Sequence, residues 1–452
     1  MSEKYDLIII GGGPAGLAAA AQAAFLQKRA LVIEKEGWGG TCTHRGCVPT
    51  KALLSCSKYF ADLKKLKRAG IDITGATFDF SAIKRHQQQI VKIAAMGAQK
   101  TAADAGVDIK TGTAEITAPG EVKVVNSSGT AETFSAKNII IAWGSEPALL
   151  PGIKLSSRVL TSDGALALNT LPRSVIIIGG SFIGIEFATF FAELGVEVSL
   201  LELLDRLLPN EDAEAASFLQ QELARSGIAI HTSARYLSME ETATGVTVAA
   251  EKDSASLQLN ADCVVICTGR KPLLAQSQLA KLGIDYGRSG IKIKQDMQTN
   301  VPGIYAAGDV TGGMMLAHRA DRQARAAVLH ICGRAASYNE HHIPSVVYSH
   351  PPVAHVGWRQ QQAAEAGLEV SIARATYSAN IMARAELAGQ GFVKALFHQN
   401  KLIGATIAGE QAAELISPLS LAVANRMTRA QLNDWVIPHP TLSEIFTSLF
   451  SN

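Results

Sequence analysis

With 452 residues, 47% hydrophobic and 18% charged side chains and a formal charge of +2, the chain can build about three cored domains, and its balance of charge does not suit a polyanion partner. No basic run interleaved with aromatics suggests nucleic acid, and no apolar stretch approaches the ~18 residues of a membrane span. Six cysteines are too few for a disulfide scaffold, and Met1 to Lys4 leave no room for a targeting segment before the first strand, so a cytoplasmic location is expected.

The first predicted element is the apolar strand Tyr5 to Ile10. It runs into Gly11-Gly12-Gly13-Pro14-Ala15-Gly16 and then an alanine-rich helix over Leu17 to Leu26. A second strand, Ala30 to Ile33, ends in Glu34. Strand, glycine loop, helix and acid stand in the order of a dinucleotide fingerprint: glycines let the backbone approach a pyrophosphate, the helix N-terminus faces its charge, and the acid accepts from a ribose hydroxyl.

Next comes Gly39-Gly40-Thr41-Cys42-Thr43-His44-Arg45-Gly46-Cys47-Val48-Pro49-Thr50-Lys51, which leads into a helix. Two readings of its cysteines stand side by side. Free cysteine is among the most buried residue types, so both can be core thiols; alternatively they form a redox-active disulfide. A regular helix holds residues five apart at roughly 8 to 9 Å, beyond the ~7 Å reach of a disulfide. If the two bond, the turn between them is non-helical or distorted, and Gly46 supplies the freedom for that. Beyond it, Lys58, Lys64, Lys65, Lys67 and Arg68 alternate with apolar residues as on a solvated helix face. Cys56, Cys263, Cys267 and Cys332 read as structural, and their spacing matches no metal site.

The chain then repeats itself. Val175 to Ile178 leads into Gly179-Gly180-Ser181-Phe182-Ile183-Gly184, a helix is predicted from Ile185 to Leu194, and the strand Glu197 to Leu201 ends in Glu202. Gly11, Gly16 and Glu34 thus recur 168 residues later as Gly179, Gly184 and Glu202. Two fingerprints imply two dinucleotide cofactors. Ser181 stands where the middle glycine is expected and adds a β-carbon near the pyrophosphate. Glu202 suits a free 2′-hydroxyl and repels a 2′-phosphate, which favours NAD(H), and Arg206 softens that preference if it turns toward the ribose. The closing strands echo each other too: Ile139 to Pro147, with Trp143-Gly144-Ser145, resembles Val264 to Pro272, with Thr268-Gly269-Arg270.

Thr299 to Asp309 reads as a strand ending in Gly-Asp, where an acid meets a ligand at the carboxyl edge of a sheet, and Met315-Leu316-Ala317-His318 opens a helix. From Ile343 onward, strands at Gly391 to Phe397 and Lys401 to Ala408 alternate with helices such as Gln411 to Asn425, as in a separate α+β domain. In Ile437-Pro438-His439-Pro440 the prolines hold the histidine in extended backbone, and Glu444 can turn back to its ring, a pairing that would set its tautomer.

Together these motifs resemble the pyridine nucleotide-disulfide oxidoreductase family, class I, over essentially the whole chain, and within it the members that oxidise dihydrolipoyl thiols. The resemblance implies an α/β fold of two Rossmann-like dinucleotide-binding domains plus a C-terminal α+β dimerisation domain. FAD would be bound by 1–148 with 270–335 and NAD by 149–269, and 343–452 would form the interface of a homodimer. It assigns FAD to Gly11, Gly13, Pro14, Ala15, Gly16, Glu34, Lys35, Gly40, Thr41, Cys42, Lys51, Ala114, Trp143, Gly144, Ser145, Asp309 and Met315 to His318, with Leu316 and Ala317 between. NAD falls to Gly179, Gly180, Ser181, Phe182, Ile183, Gly184, Glu186, Glu202 and Gly269. Cys42 is implied as interchange thiol, Cys47 as the thiolate against the flavin, His439 with Glu444 as acid–base pair, and Lys51 with Glu186 as an ion pair. No metal is implied. The implied substrate is dihydrolipoamide or a lipoyl-bearing protein of a 2-oxo acid dehydrogenase or glycine cleavage complex, with no nucleic acid or membrane as partner.

This chain departs from the family pattern at several points. Ile437-Pro438 precede the histidine where His-Ala is usual, Ile381-Met382 replace Ser-Arg, Trp143 replaces a threonine, and Gln323-Ala324 replace Glu-Gly. These leave open an NADH-dependent reductase of another small disulfide. A non-catalytic redox sensor is the other alternative, against which the His439–Glu444 pair speaks.

Overall fold

The computed structural model describes residues 4–451; Met1, Ser2 and Glu3, on which the reading of the leader partly rests, lie outside them. The described chain forms two compact units. One comprises the chain as far as Ala52, Arg85 to Ala148 and Gly269 to Glu340; the other comprises Leu53 to Lys84, Leu149 to Thr268 and the chain from His341 onward.

In the first unit, runs of Ile, Leu and Val make strands buried on both faces, as a parallel sheet requires. Five strands run parallel in the order Asp108–Thr111, Ala30–Glu34, Lys4–Ile10, Ala131–Ile141, Ile304–Ala306. Ile8 lies beside Leu31 on one side and Ile139 on the other, and Ile139 beside Ile304. The first half of Ala131–Ile141 pairs instead with Glu121–Val125, which continues antiparallel into Thr113–Ala118. Ile8, Ile9, Ile139 and Ile140 are fully buried, each worth about 2 kcal/mol of transfer free energy. Helices Pro14–Phe25 and Ala317–Ile331 share one face through alanines, Ala15, Ala19 and Ala23 against Ala320, Ala324 and Ala327, whose small side chains allow close backbone approach. The strand expected from Thr299 shrinks to Ile304–Ala306, because Pro302 has no N–H to donate and Gly303 turns the chain at φ +79°.

The second unit repeats the first sheet order: Ala229–His231, Glu197–Leu201, Ser174–Ile178, Cys263–Ile266, Val159–Thr161, all parallel. Its edge strand Val159–Thr161 precedes the fingerprint in the chain, whereas the counterpart Ile304–Ala306 follows it. Helix Phe182–Glu193 buries Phe187, Phe190 and Phe191. The C-terminal α+β part is an antiparallel sheet in the order Ser345–Val347, Val353–Gly357, Lys401–Gly409, Gly391–His398, Ser371–Thr376. Helices Ala412–Ala424 and Ile445–Phe450 cover it.

A buried ionic cluster joins these parts of the second unit. Lys394, 2% exposed, lies 2.6 Å from Asp212, whose carboxylate caps helix Ala213–Arg225 at Glu214 N and Ala215 N. Arg359 reaches Glu211 at 3.3 Å, and His355 bonds Thr406 Oγ1 at 2.8 Å and the Gly357 carbonyl at 3.0 Å. Buried charge persists only when so paired. Among the described residues no helix is long and apolar enough to cross a membrane.

Candidate active site

The first fingerprint is shaped by close backbone approach. Gly11 sits at φ +120°, and a β-carbon there would lie 2.3 Å from the Ala142 carbonyl oxygen; one on Gly16 would lie 1.8 Å from the Gly11 oxygen. On Gly13, by contrast, a β-carbon would meet nothing nearer than Gly40 Cα at 3.8 Å, so the loop is open on the side that faces the helix N-terminus. No acid occupies the first turn of that helix, which begins at Pro14 and Ala15. An anion is therefore opposed by no negative side chain there. Glu34 Oε2 accepts from Gly12 N at 2.5 Å and Oε1 from Glu36 N at 2.7 Å, which holds the carboxylate at the end of its strand. Loop, helix end and acid together fit a dinucleotide pyrophosphate and ribose.

Other residues of the predicted flavin set lie in the same unit. Gly39 N donates to Gly12 O at 2.8 Å, and Gly40 at φ +57° begins the short helix Gly40–Arg45, which carries Thr41 and Cys42. Gly308 is wedged between Ala15 and Ala320, which brings Asp309 to the same edge. Ser145 Oγ donates to Asp309 Oδ2 at 2.6 Å. Trp143 packs on the core cluster beneath, with Ala114 at its border, and Gly144 turns at φ +80°. Met315 and Leu316 are half-buried ahead of helix Ala317–Ile331, whose second residue His318 is exposed. Lys35 points away to Glu36, 3.2 Å off.

The second fingerprint reproduces the first almost bond for bond. Gly179 N donates to Leu201 O at 2.8 Å as Gly11 N does to Ile33 O at 2.8 Å, and Gly180 N donates to Glu202 Oε2 at 2.7 Å. A β-carbon on Gly184 would lie 1.9 Å from the Gly179 oxygen. Ser181 caps helix Phe182–Glu193 by position without a side-chain bond, and Phe182 and Ile183 pack on the core. Glu202 Oε1 accepts from Leu204 N at 2.8 Å. Arg206 donates to the Pro209 carbonyl at 2.9 Å, which ties up one end of its guanidinium. Glu186 is buried and accepts from Tyr348 N at 3.3 Å. Gly269, at φ +111°, belongs to the first unit, where its carbonyl accepts from Ala148 N at 3.0 Å.

Between the two cysteines, both free thiols, the helix breaks at Gly46. Helix Gly40–Arg45 ends, Gly46 adopts φ −145° and ψ −117°, and helix Cys47–Leu66 begins at once. A β-carbon on Gly46 would lie 2.9 Å from the Thr41 carbonyl oxygen. The Cys42 thiol donates to the Cys47 sulfur, and that bond, with burial, holds Cys42 well above the ordinary thiol range, while the nearby charge of Lys51 opposes the shift.

At the other end of the chain, His439 Nδ1 and Glu444 Oε1 are 2.8 Å apart. The His439 ring, with the Thr441 amide at 3.0 Å, holds the Glu444 carboxyl below its usual range. A carboxylate on Nδ1 keeps the proton there and leaves Nε2 bare to accept one. Lys51 and Glu186 lie in different units.

Two residues outside the predicted set contribute. Arg270 donates through Nε to Ser145 Oγ and through Nη2 to the Ser145 carbonyl, each at 2.8 Å. Its position after Gly269, matching Ser145 after Gly144, was the available signal. Asn380 binds the turn after His439 and had no signal in the local pattern. Among the described residues no group of His, Cys, Asp and Glu is arranged to hold a metal ion.

Residues 5–324 match the family model described as pyridine nucleotide-disulphide oxidoreductase, and residues 343–450 match the dimerisation domain of that family. The chain is 37% identical over 447 residues to a dihydrolipoyl dehydrogenase of Bacillus subtilis (strain 168), covering 98% of this chain and 95% of that one. It is 35% identical to a dihydrolipoyl dehydrogenase of Geobacillus stearothermophilus, covering 98% and 94%. Among solved structures, LpdA from Mycobacterium tuberculosis is similar with a TM-score of 0.92 at 28% identity, covering 98% of each chain. The HOCl-induced flavoprotein disulfide reductase RclA from Escherichia coli is similar with a TM-score of 0.86 at 27% identity, covering 99% of each. Likeness of this extent, in a chain that keeps both fingerprints and both thiols, means that the protein belongs to the pyridine nucleotide-disulphide oxidoreductase family, whose members use FAD and NAD.

Proposed function

We propose that the chain is an FAD-dependent enzyme that oxidises dihydrolipoyl thiols to the disulfide with NAD⁺ as acceptor, acting in the cytoplasm as a homodimer. The observation that carries this reading is full-length likeness, at 37% identity, to a protein named dihydrolipoyl dehydrogenase. Domain boundaries follow the same reading: FAD on 1–148 with 270–335, NAD on 149–269, and 343–452 as the interface that delivers His439 to the thiols of a second copy.

In this reading the FAD-holding residues are the Gly11–Gly16 loop, Glu34, Gly40, Thr41, Lys51, Ser145 and Asp309, and the NAD-holding residues are Gly179–Gly184 and Glu202. FAD, when bound, carries the electron pair from thiol to nicotinamide. His439 takes the proton of one substrate thiol at Nε2, with Glu444 stabilising the charged ring. The substrate thiolate attacks Cys42, the Cys42–Cys47 bond breaks, and Cys47 leaves as thiolate. The second substrate thiol attacks the substrate sulfur held on Cys42, which releases the cyclic disulfide and leaves two reduced cysteines. The proton of that second thiol passes to the departing Cys42 sulfur, so Cys42 ends as a thiol that donates to Cys47, and the Cys47 thiolate is balanced by the protonated His439 ring. Lys51, whose charge acts on Cys42, is the proposed electrostatic partner of this pair.

A second reading, an NADH-dependent reductase of another small disulfide, draws support from the likeness to the disulfide reductase RclA and from the departures from the family pattern at Ile381, Met382 and Pro438. Anaerobic addition of dihydrolipoamide, then NAD⁺, to the flavin-loaded protein separates the two. A long-wavelength thiolate band that rises with the dithiol and is discharged with NADH formation supports the first reading. A band raised by NADH alone supports the second. The lipoyl carrier, in a 2-oxo acid dehydrogenase or glycine cleavage complex, is identified by which lipoylated domain gives the fastest rise.

A further inference from the structure

We infer that Asn380 is a positioning residue for the His439–Glu444 pair, an inference that rests on the acid–base reading of His439. Asn380 is 7% exposed, and its two ends do different work. Oδ1 accepts from Ala383 N at 2.9 Å and caps the short helix Ile381–Ala385. Nδ2 donates to the Thr441 carbonyl at 3.1 Å and to the Leu442 carbonyl at 3.3 Å.

The cap alone does not call for asparagine, since serine, threonine or aspartate would accept the same bond. Of these side chains only asparagine adds an amide with two hydrogens, and two carbonyls are there to receive them. Those carbonyls belong to the turn that holds the pair. Thr441 N donates to Glu444 Oε2 at 3.0 Å, Thr441 Oγ1 donates to the Pro438 carbonyl at 2.8 Å, and Glu444 Oε1 meets His439 Nδ1. Within one chain the His439 side chain is 75% exposed, and its ring is held there by the bond to Glu444. Its direction comes through Glu444, and the direction of Glu444 comes through the 441–442 peptides that Asn380 grips.

The test compares Asn380→Ser, which keeps a capping oxygen and loses the amide donor, with Asn380→Ala, which loses both, in the full FAD-loaded chain. Ring nitrogen-15 shifts of His439 report its tautomer without any substrate. Stopped-flow reduction by dihydrolipoamide and by NADH reports the two half-reactions. The expected result is a mixed tautomer in both variants and a dithiol half-reaction slowed about 10-fold or more, a part of the usual acid–base contribution, with reduction by NADH unchanged. A serine variant with the wild-type tautomer and rate would assign Asn380 to helix capping alone and overturn the inference, as would equal losses in both half-reactions. If the wild-type protein does not react with dihydrolipoamide, the functional reading fails, while the tautomer comparison still decides the role of Asn380.

Discussion

Ser145 and Asp309, 164 positions apart in the chain, are joined by a hydrogen bond of 2.6 Å from hydroxyl to carboxylate. Arg270 completes the arrangement by holding both the hydroxyl and the carbonyl of Ser145. Ser145 and Arg270 occupy matching positions in the two echoing segments, which pair antiparallel, Pro272 beside Ser145 and Arg270 beside Pro147. The repeat is therefore more than a record of two similar folds: its two copies meet to fix one acid at the edge of the first sheet.

Removing that bond tests the placement of Asp309. In Ser145→Ala, FAD affinity is expected to fall about 10-fold or more, since a hydrogen bond to a charged group contributes roughly 1.5–3 kcal/mol. Titration of the apoprotein with FAD, followed by the quenching of free flavin fluorescence, measures it. Unaltered affinity would remove Asp309 from the proposed flavin contacts.

The break at Gly46 is expected to be indispensable for disulfide chemistry. A methyl group there meets the Thr41 carbonyl at 2.9 Å, so Gly46→Ala must shift one helix against the other and spread the thiols. The variant should bind flavin yet form the Cys42–Cys47 bond slowly, as counted by free thiols after mild oxidation. Cys42→Ser should bind flavin and lose dithiol turnover entirely; full turnover would sink the mechanism.

Nucleotide choice should depend on Glu202. Glu202→Ala removes the carboxylate that accepts from Gly180 and Leu204, and Arg206 is bound to Pro209 rather than placed to bind a phosphate. The ratio of kcat/KM for NADH over NADPH should drop about 10-fold or more, chiefly through loss of 2′-phosphate repulsion and of a ribose hydrogen bond. An unchanged ratio would place nucleotide selection elsewhere.

Acid stability should depend on His355. Burial, with the charge of Arg359 adding to it, pushes this imidazole down to about 3. The unfolded chain binds the proton below about 6.5, so between that pH and about 3 the unfolded state holds more protons than the folded one. Stability is untouched by this group above pH 6.5 and falls by about 1.4 kcal/mol per unit as pH drops well below it. His355→Gln should be less stable than wild type at pH 7 and decline less steeply from pH 6 to pH 4, measured as urea midpoints. Equal slopes would show that His355 takes up no proton on unfolding.

Much of the site was legible because its signals are local. Gly11 and Gly179 need positive φ, apolar β-branched runs specify buried strands, and Gly46 between the two cysteines supplies the freedom for a break in the helix. Each of these depends on residues within a few positions of one another. The shortened strand at Ile304–Ala306 was the local miss, because the turn at Pro302-Gly303 outweighed an apolar pattern.

By itself, then, the sequence determined the two strand–glycine–helix repeats with Glu34 and Glu202 at the ends of their second strands, the close spacing of Cys42 and Cys47 and the facing of His439 and Glu444, since each is set by the backbone preferences and reach of neighbouring residues. Only the tertiary structure decided that Arg270 holds Ser145 and Ser145 holds Asp309, that Asn380 grips the turn after His439, and that Lys394 neutralises Asp212. Those bonds join residues between 61 and 182 positions apart, and a polar side chain carries no mark of which distant partner the folded topology will bring within 3 Å of it.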